Sequence, residues 1–153
     1  MVLVDADHFK SVNDRFGHLV GDKVLQSVSK VLKDNARKAD FVARYGGEEF
    51  IIVMPEAGLG LAAQGAERMR RALAAHVHQD VTELGGEAVT ASFGVATFEK
   101  ADDRLEDLVA AADHAMYRAK TLGRNRVTVA DRSDEGPVQI PIDTKEVERD
   151  ASS

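Results

Sequence analysis

Four carboxylates stand where strand-like runs end or begin. Asp5 and Asp7 close the opening apolar run Val2-Leu3-Val4, and Glu48 and Glu49 follow the glycine pair Gly46-Gly47. Period-two alternation along a strand sends Asp5 and Asp7 to one face at the strand's end, and the same alternation separates Glu48 from Glu49. Carboxylates drawn together from neighbouring strands repel unless a cation lies between them. The chain has no cysteine and no obvious histidine cluster, so an all-oxygen donor set of this kind suits Mg²⁺. Metal-assisted phosphoryl chemistry is the matching expectation. Taken singly, each acid reads more simply as a solvated residue or a cap on the next helix; several together change that balance.

The elements that must position these groups follow from hydrophobic periodicity. Val2-Leu3-Val4 reads as a buried strand reaching Asp5. Val24, Leu25, Val28, Val31, Leu32 and Ala39 recur at helical spacing, predicting an amphipathic helix over 24–39 that Asp22 could cap. Phe41–Tyr45 and Glu48–Met54 predict an antiparallel hairpin, with Gly46-Gly47 as a two-residue turn at positive φ. A second helix is expected over 59–77 and a second hairpin over 81–98, turning at Gly85-Gly86. Leu105, Leu108, Val109, Ala112, Ala115, Met116 and Ala119 form the stripe of a third helix over about 104–122, which Gly123 is suited to end, and a short strand over 126–130 closes the domain. Strands and helices in this order predict an α+β fold, a mainly antiparallel sheet flanked by helices, ferredoxin-like or polymerase-palm-like.

Composition narrows the partners. The net charge of −6 is concentrated in 131–153, where seven acids face Arg132, Lys145 and Arg149; that segment carries −4 and residues 1–130 only −2. A near-neutral body has no field to attract nucleic acid or an anionic membrane, so a small-molecule ligand is expected, with no nucleic-acid partner and no membrane contact. The division expected is a domain over 1–130 and a flexible acidic tail over 131–153. Absent cysteine and absent apolar runs of bilayer length place the domain in the cytoplasm, on its own or as the cytoplasmic part of a larger sensor.

Three blocks carry a resemblance. They are Asp5-Ala-Asp-His-Phe-Lys-Ser-Val-Asn-Asp-Arg-Phe-Gly-His-Leu-Val-Gly-Asp22, Arg44-Tyr-Gly-Gly-Glu-Glu-Phe50, and Ala111-Ala-Asp-His-Ala-Met-Tyr-Arg-Ala-Lys120 running into Gly123-Arg-Asn-Arg126. In this order and spacing they resemble the GGDEF family of diguanylate cyclases in its GGEEF form, across about residues 1–130. The resemblance implies condensation of two GTP into cyclic di-GMP with release of two pyrophosphates, at a Mg²⁺ site, with Mn²⁺ as a substitute, completed across a homodimer. It implies that Asp5, Glu48 and the Ala6 carbonyl hold the metal, that Glu49, with Asp7, assists the metal site or the attacking hydroxyl, and that Asn13 and Asp22 read guanine. An amide and a carboxylate suit the acceptor and donor edge of that base.

The triphosphate would meet Lys10, Lys120 and Arg124, with backbone donors around His8 and Phe9 and close approach at Gly46 and Gly47. Lys120 also reads as a cation complementing a helix C-terminus. Arg37-Lys-Ala-Asp40 matches the family's RxxD inhibitory site for the cyclic di-GMP product, joined by Arg68 from a neighbouring protomer; its plain alternative is an exposed helix end. Family members carry a helix before the first strand, and the chain starts inside that strand, so it is expected to be N-terminally truncated, its upstream sensory module absent. Three other readings remain: a catalytically inactive GTP or cyclic di-GMP sensor working through Arg37 and Asp40, a cyclase making a cyclic mononucleotide, and a plain interaction module.

Overall fold

The computed structural model describes residues 1–100 and 103–131. The acidic tail expected over 131–153 lies outside the described residues from 132 onward. The chain runs β1 (Val2–Ala6), α1 (Phe9–Phe16), α2 (His18–Asp34), β2 (Phe41–Arg44), β3 (Glu49–Val53), α3 (Leu59–Asp80), a 3₁₀ turn (Thr82–Leu84), β4 (Ala91–Val95), α4 (Leu105–Thr121) and β5 (Val127–Val129). The sheet order is β2-β3-β1-β4-β5. Its first four strands each pair antiparallel with their neighbours, and β5 joins β4 in parallel. The expected ferredoxin-like arrangement is therefore present in β2-β3-β1-β4, with α4 and β5 added as a βαβ crossover.

Both faces of β1 are covered, which explains its unbroken apolar start. Val2, Val4 and Ala6 face a large core built with Val24, Val28 and Leu32 of α2 and Met69, Leu73 and Val77 of α3. Met1 and Leu3 face the opposite side, where Leu108, Ala112 and Met116 of α4 close a smaller core. Each fully buried Leu contributes about 1.5–3 kcal/mol of transfer free energy. The one charged position of β1, Asp5, points to the α4 side.

Gly94 sets how closely α4 approaches the sheet. A Cβ there would lie 2.0 Å from the Ala112 carbonyl oxygen and 2.3 Å from the Met116 nitrogen. Only a residue without a side chain lets the helix backbone rest on β4.

Several expectations are corrected. Residues 9–16 form α1, unanticipated, and α2 begins at His18, so Asp22 lies inside the helix and cannot be its N-cap, a position held by Gly17. No strand precedes Gly85-Gly86. These glycines do take positive φ, but they follow the 3₁₀ turn; the alternation of Val89, Ala91, Phe93 and Val95 belongs to β4 and the residues leading into it, while Val81 and Leu84 reach the core from a turn with no strand to pair. Leu105 belongs to α4 but is exposed, outside its buried stripe. At Gly46-Gly47 the strand pairing Arg44↔Phe50 extends to a Tyr45 N–H donating to the Glu49 carbonyl at 2.8 Å, so Glu48 belongs to the turn with both glycines. Among the described residues the positive-φ glycines are Gly17, Gly85, Gly86 and Gly123, and the expectation of positive φ at Gly46 and Gly47 fails.

Candidate active site

The C-terminal end of β1 gathers most of the expected residues. Asp5 is paired in register with Glu49 on one side and Ser92 on the other, so these three side chains share the face turned toward α4. The Ala6 N–H donates to the Glu48 carbonyl at 3.1 Å, which fixes the turn beside the strand end. Gly46 lies against Glu49, where a Cβ would stand 2.9 Å from Oε2. The turn itself is held by a residue the sequence did not single out: the Arg44 guanidinium donates to the Gly46 carbonyl at 3.1 Å and to the Gly47 carbonyl at 2.6 and 3.0 Å.

The site's electrostatics follow from this crowding. Burial pushes the Asp5 carboxyl up, and the Glu48 and Asp7 charges push the same way, while Lys120 opposes them. Its Nζ lies 3.0 Å from Asp5 Oδ2. Burial and the Asp5 charge likewise raise Glu49, with Asp113 and Glu48 contributing in the same direction. The interactions are those of acids close enough to compete for positive charge. Among the described residues, no three His, Cys, Asp or Glu side chains form a ready cage for a metal ion. The donors at hand are two carboxylates, Asp5 and Glu48, beside backbone oxygen, and their hard, anionic character fits Mg²⁺ or Mn²⁺.

Asp7 carries a structural task at the strand end. Its carboxylate accepts from Ser92 Oγ at 2.7 Å, Thr90 Oγ1 at 2.7 Å and the Asn125 N–H at 3.0 Å. With 6% exposure and three donors, it knots the end of β1 to the start of β4 and to the turn after α4. That turn carries Arg124, exposed, with φ 62°, followed by Asn125 at φ 45°; non-glycine residues in this left-handed region need such external support. Arg70 of α3 supplies more of it, donating to Asn125 Oδ1 at 2.7 Å. Thr90, Ser92, Asn125 and Arg70 were missed in the sequence because each acts through a partner far along the chain.

On the other side of the strand end, His8 takes φ 54° and opens α1, whose first-turn N–H groups, including that of Phe9, have no intrahelical acceptor. Lys10 is exposed in the same turn. Farther along α1, the Asn13 side-chain oxygen is buried without a hydrogen-bond partner. It rests on Gly21, where a Cβ would come within 1.9 Å of it. Asp22, next to Gly21 on α2, is exposed.

Arg37 and Asp40 are brought together away from this centre, at the start of β2. The Arg37 guanidinium donates to Asp40 Oδ1 at 2.7 and 3.0 Å and to the Pro55 carbonyl at 3.2 Å. Burial works to raise the Asp40 carboxyl, but the Arg37 hydrogen bonds and charge outweigh it and hold the group below its ordinary value. Arg68 joins this corner within the same chain, donating to the Asn35 carbonyl at 2.8 and 3.2 Å.

Comparison with known proteins agrees with this geometry. Residues 1–126 match the family described as diguanylate cyclase, GGDEF domain. The diguanylate cyclase DgcP of Pseudomonas aeruginosa is 44% identical over 131 residues, which cover 85% of the chain and 19% of that protein. The diguanylate cyclase VdcA of Vibrio cholerae is 43% identical, over 83% of the chain and 38% of its own length. The chain thus spans less than half of either relative. Among solved structures, the active GGEEF domain of a diguanylate cyclase from Vibrio cholerae superposes with a TM-score of 0.77 at 34% identity, covering 86% of the chain and 81% of that domain. The GGDEF domain of DgcB from Caulobacter crescentus, solved with c-di-GMP, gives 0.75 at 34% identity over 84% and 75%. A sheet with its acids at the end of β1, a glycine turn beside them and a family match along almost all the described residues lead to one assignment: the chain belongs to the GGDEF domain family of diguanylate cyclases.

Proposed function

We propose that this domain makes cyclic di-GMP, each protomer of a homodimer presenting one GTP so that the 3′-hydroxyl of one nucleotide attacks the α-phosphorus of the other and pyrophosphate leaves, twice. The observation that carries the reading is the Asp5–Glu49 strand pair, with Glu48 in the adjoining turn and Lys120 above it. Asp5 and Glu48, with the Ala6 carbonyl, would hold Mg²⁺ or Mn²⁺. Bound there, the ion would neutralise phosphoryl charge and lower the pKa of the attacking hydroxyl.

The chain's own residues supply the positioning. The unpartnered oxygen of Asn13 and the exposed carboxylate of Asp22 would accept from the guanine N–H groups. The first-turn N–H groups around His8 and Phe9, the cations Lys10, Lys120 and Arg124, and the open backbone at Gly46 and Gly47 would cradle the triphosphate. Glu49, held protonation-prone by burial beside Asp5, would take part in proton transfer from the hydroxyl. Arg37, Asp40 and Arg68 would bind product at the separate corner and so restrain the enzyme. The upstream module of a longer protein would govern how two domains meet, in the cytoplasm where GTP is found.

The test is incubation with GTP and Mg²⁺, with mass-spectrometric identification of product, beside Glu48→Ala. Activity per domain should rise with protein concentration, since one protomer holds only half of the reacting pair. Binding of GTP without release of pyrophosphate at any concentration would instead identify a nucleotide-sensing domain.

A further inference from the structure

The carboxylate assigned above to the divalent ion is already occupied by a cation from the protein. Lys120 Nζ lies 3.0 Å from Asp5 Oδ2, with the Asp5 side chain 10% exposed and that of Lys120 30%. Asp5 stands among Glu48, Glu49 and Asp7, and a buried carboxylate in such company is costly to leave without a counter-charge. A lysine ammonium is compact and centred on one atom, so it can stand where a small metal ion would. The lysine does not reach Asp5 by chance flexing. Ala119 and Met116 beside it are buried, and Gly94 lets α4 sit directly on β4, which puts the helix's last turn over the end of β1.

A second cation cannot take the same oxygen without repelling the first. We infer that Lys120 is the displaceable counter-ion of the metal-free site, so that a divalent ion alone must evict it, whereas a triphosphate gives the ammonium a new partner and couples nucleotide binding to metal binding. Lys120 then acts twice, first as a placeholder on Asp5 and afterwards on phosphate oxygens. Linkage makes the effect reciprocal: whatever factor the nucleotide adds to metal affinity, the metal adds to nucleotide affinity. This inference rests on the reading of Asp5 and Glu48 as metal ligands.

The experiment is titration of the full chain with Mn²⁺, followed by electron paramagnetic resonance, with and without a non-reacting GTP analogue. Lys120→Met should bind Mn²⁺ alone at least about fivefold more tightly than wild type, and the gain in Mn²⁺ affinity on adding the analogue should shrink by a similar factor. Lys120→Gln, which keeps a donor for Asp5 without the charge, should tighten Mn²⁺ binding in the same direction, and Lys120→Arg should not. Asp5→Asn should lose Mn²⁺ in every background. If Asp5→Asn binds Mn²⁺ as wild type does, the metal-ligand reading itself falls. If Asp5→Asn loses the ion but neither Lys120→Met nor Lys120→Gln tightens it, the counter-ion inference is overturned while that reading stands.

Discussion

Replacing Asp7 with alanine would leave the Ser92 and Thr90 hydroxyls and the Asn125 N–H facing a buried void. Unsatisfied donors in such a place cost about 1–3 kcal/mol each, partly relieved by entering water, so Asp7→Ala should destabilise the domain by about 2–4 kcal/mol in urea denaturation. A loss no greater than that of an ordinary surface carboxylate would contradict a role for Asp7 in tying β1 to β4 and the turn after α4. Gly21→Ala makes a different kind of prediction. Its Cβ would fall 1.9 Å from the Asn13 oxygen, and a side-chain amide swings aside more readily than backbone moves. The fold should survive, while GTP binding, measured by calorimetry, weakens about tenfold through one displaced hydrogen bond. Glu67 offers a pH signature: Arg70 and then Arg71 hold its carboxyl at about 2 against an ordinary 4.5. Its contribution to stability is complete above pH 4.5 and is lost as the pH falls from there toward 2, so Glu67→Gln should flatten the acid side of the stability curve over that interval.

Among the elements, α4 is the one whose placement depends on a single atom's absence. Gly94→Ala would drive a methyl into the Ala112 carbonyl and the Met116 nitrogen, both backbone, so the helix must lift. Overpacking of this kind costs about 1–3 kcal/mol, and the lifted helix should also weaken the Lys120–Asp5 pair. Thermal unfolding of Gly94→Ala, compared with Ala112→Gly Gly94→Ala, checks the first effect: no rescue is expected, because the clash is with backbone. Helices α3 and α4 could be read from the sequence within a few residues because their buried stripes recur at regular spacing. Helix α1 could also have been found, since Phe9, Val12 and Phe16 mark one face, but its remaining residues are polar and mask the stripe. The hairpin expected around Gly85-Gly86 failed for a physical reason: real alternation exists only on its second arm, from Val89 into β4, whereas Val81 and Leu84, three residues apart, are buried by a 3₁₀ turn and not by a strand. At the site, Asp5, Glu48, Glu49 and Lys120 were visible in order and type. The supports Arg70, Thr90, Ser92 and Asn125 were not, because their roles exist only once distant segments meet, while Arg44 acts locally on the Gly46 and Gly47 carbonyls, a contact that residue type alone does not reveal.

For the molecule as a whole, the strand order puts β1 at the centre of the sheet, between β3 and β4, so the strand bearing Asp5 is the one least able to move. The peripheral strand β2 joins the two candidate sites: Asp40 precedes it and the Gly46 turn follows it. Ending the chain after Leu122 should remove β5 and the Asn125 contact together, and the fragment should show neither cooperative unfolding nor GTP binding. A fragment that still binds nucleotide would show that the opening strand and the first helices suffice. The bond between Asp7 and the Asn125 amide closes a loop 118 residues long. During synthesis on a ribosome, then, the acid at the end of β1 waits for the turn after α4 before it can be fixed in place. Competence to hold a ligand at the end of β1 should arrive late and all at once, once that turn has formed.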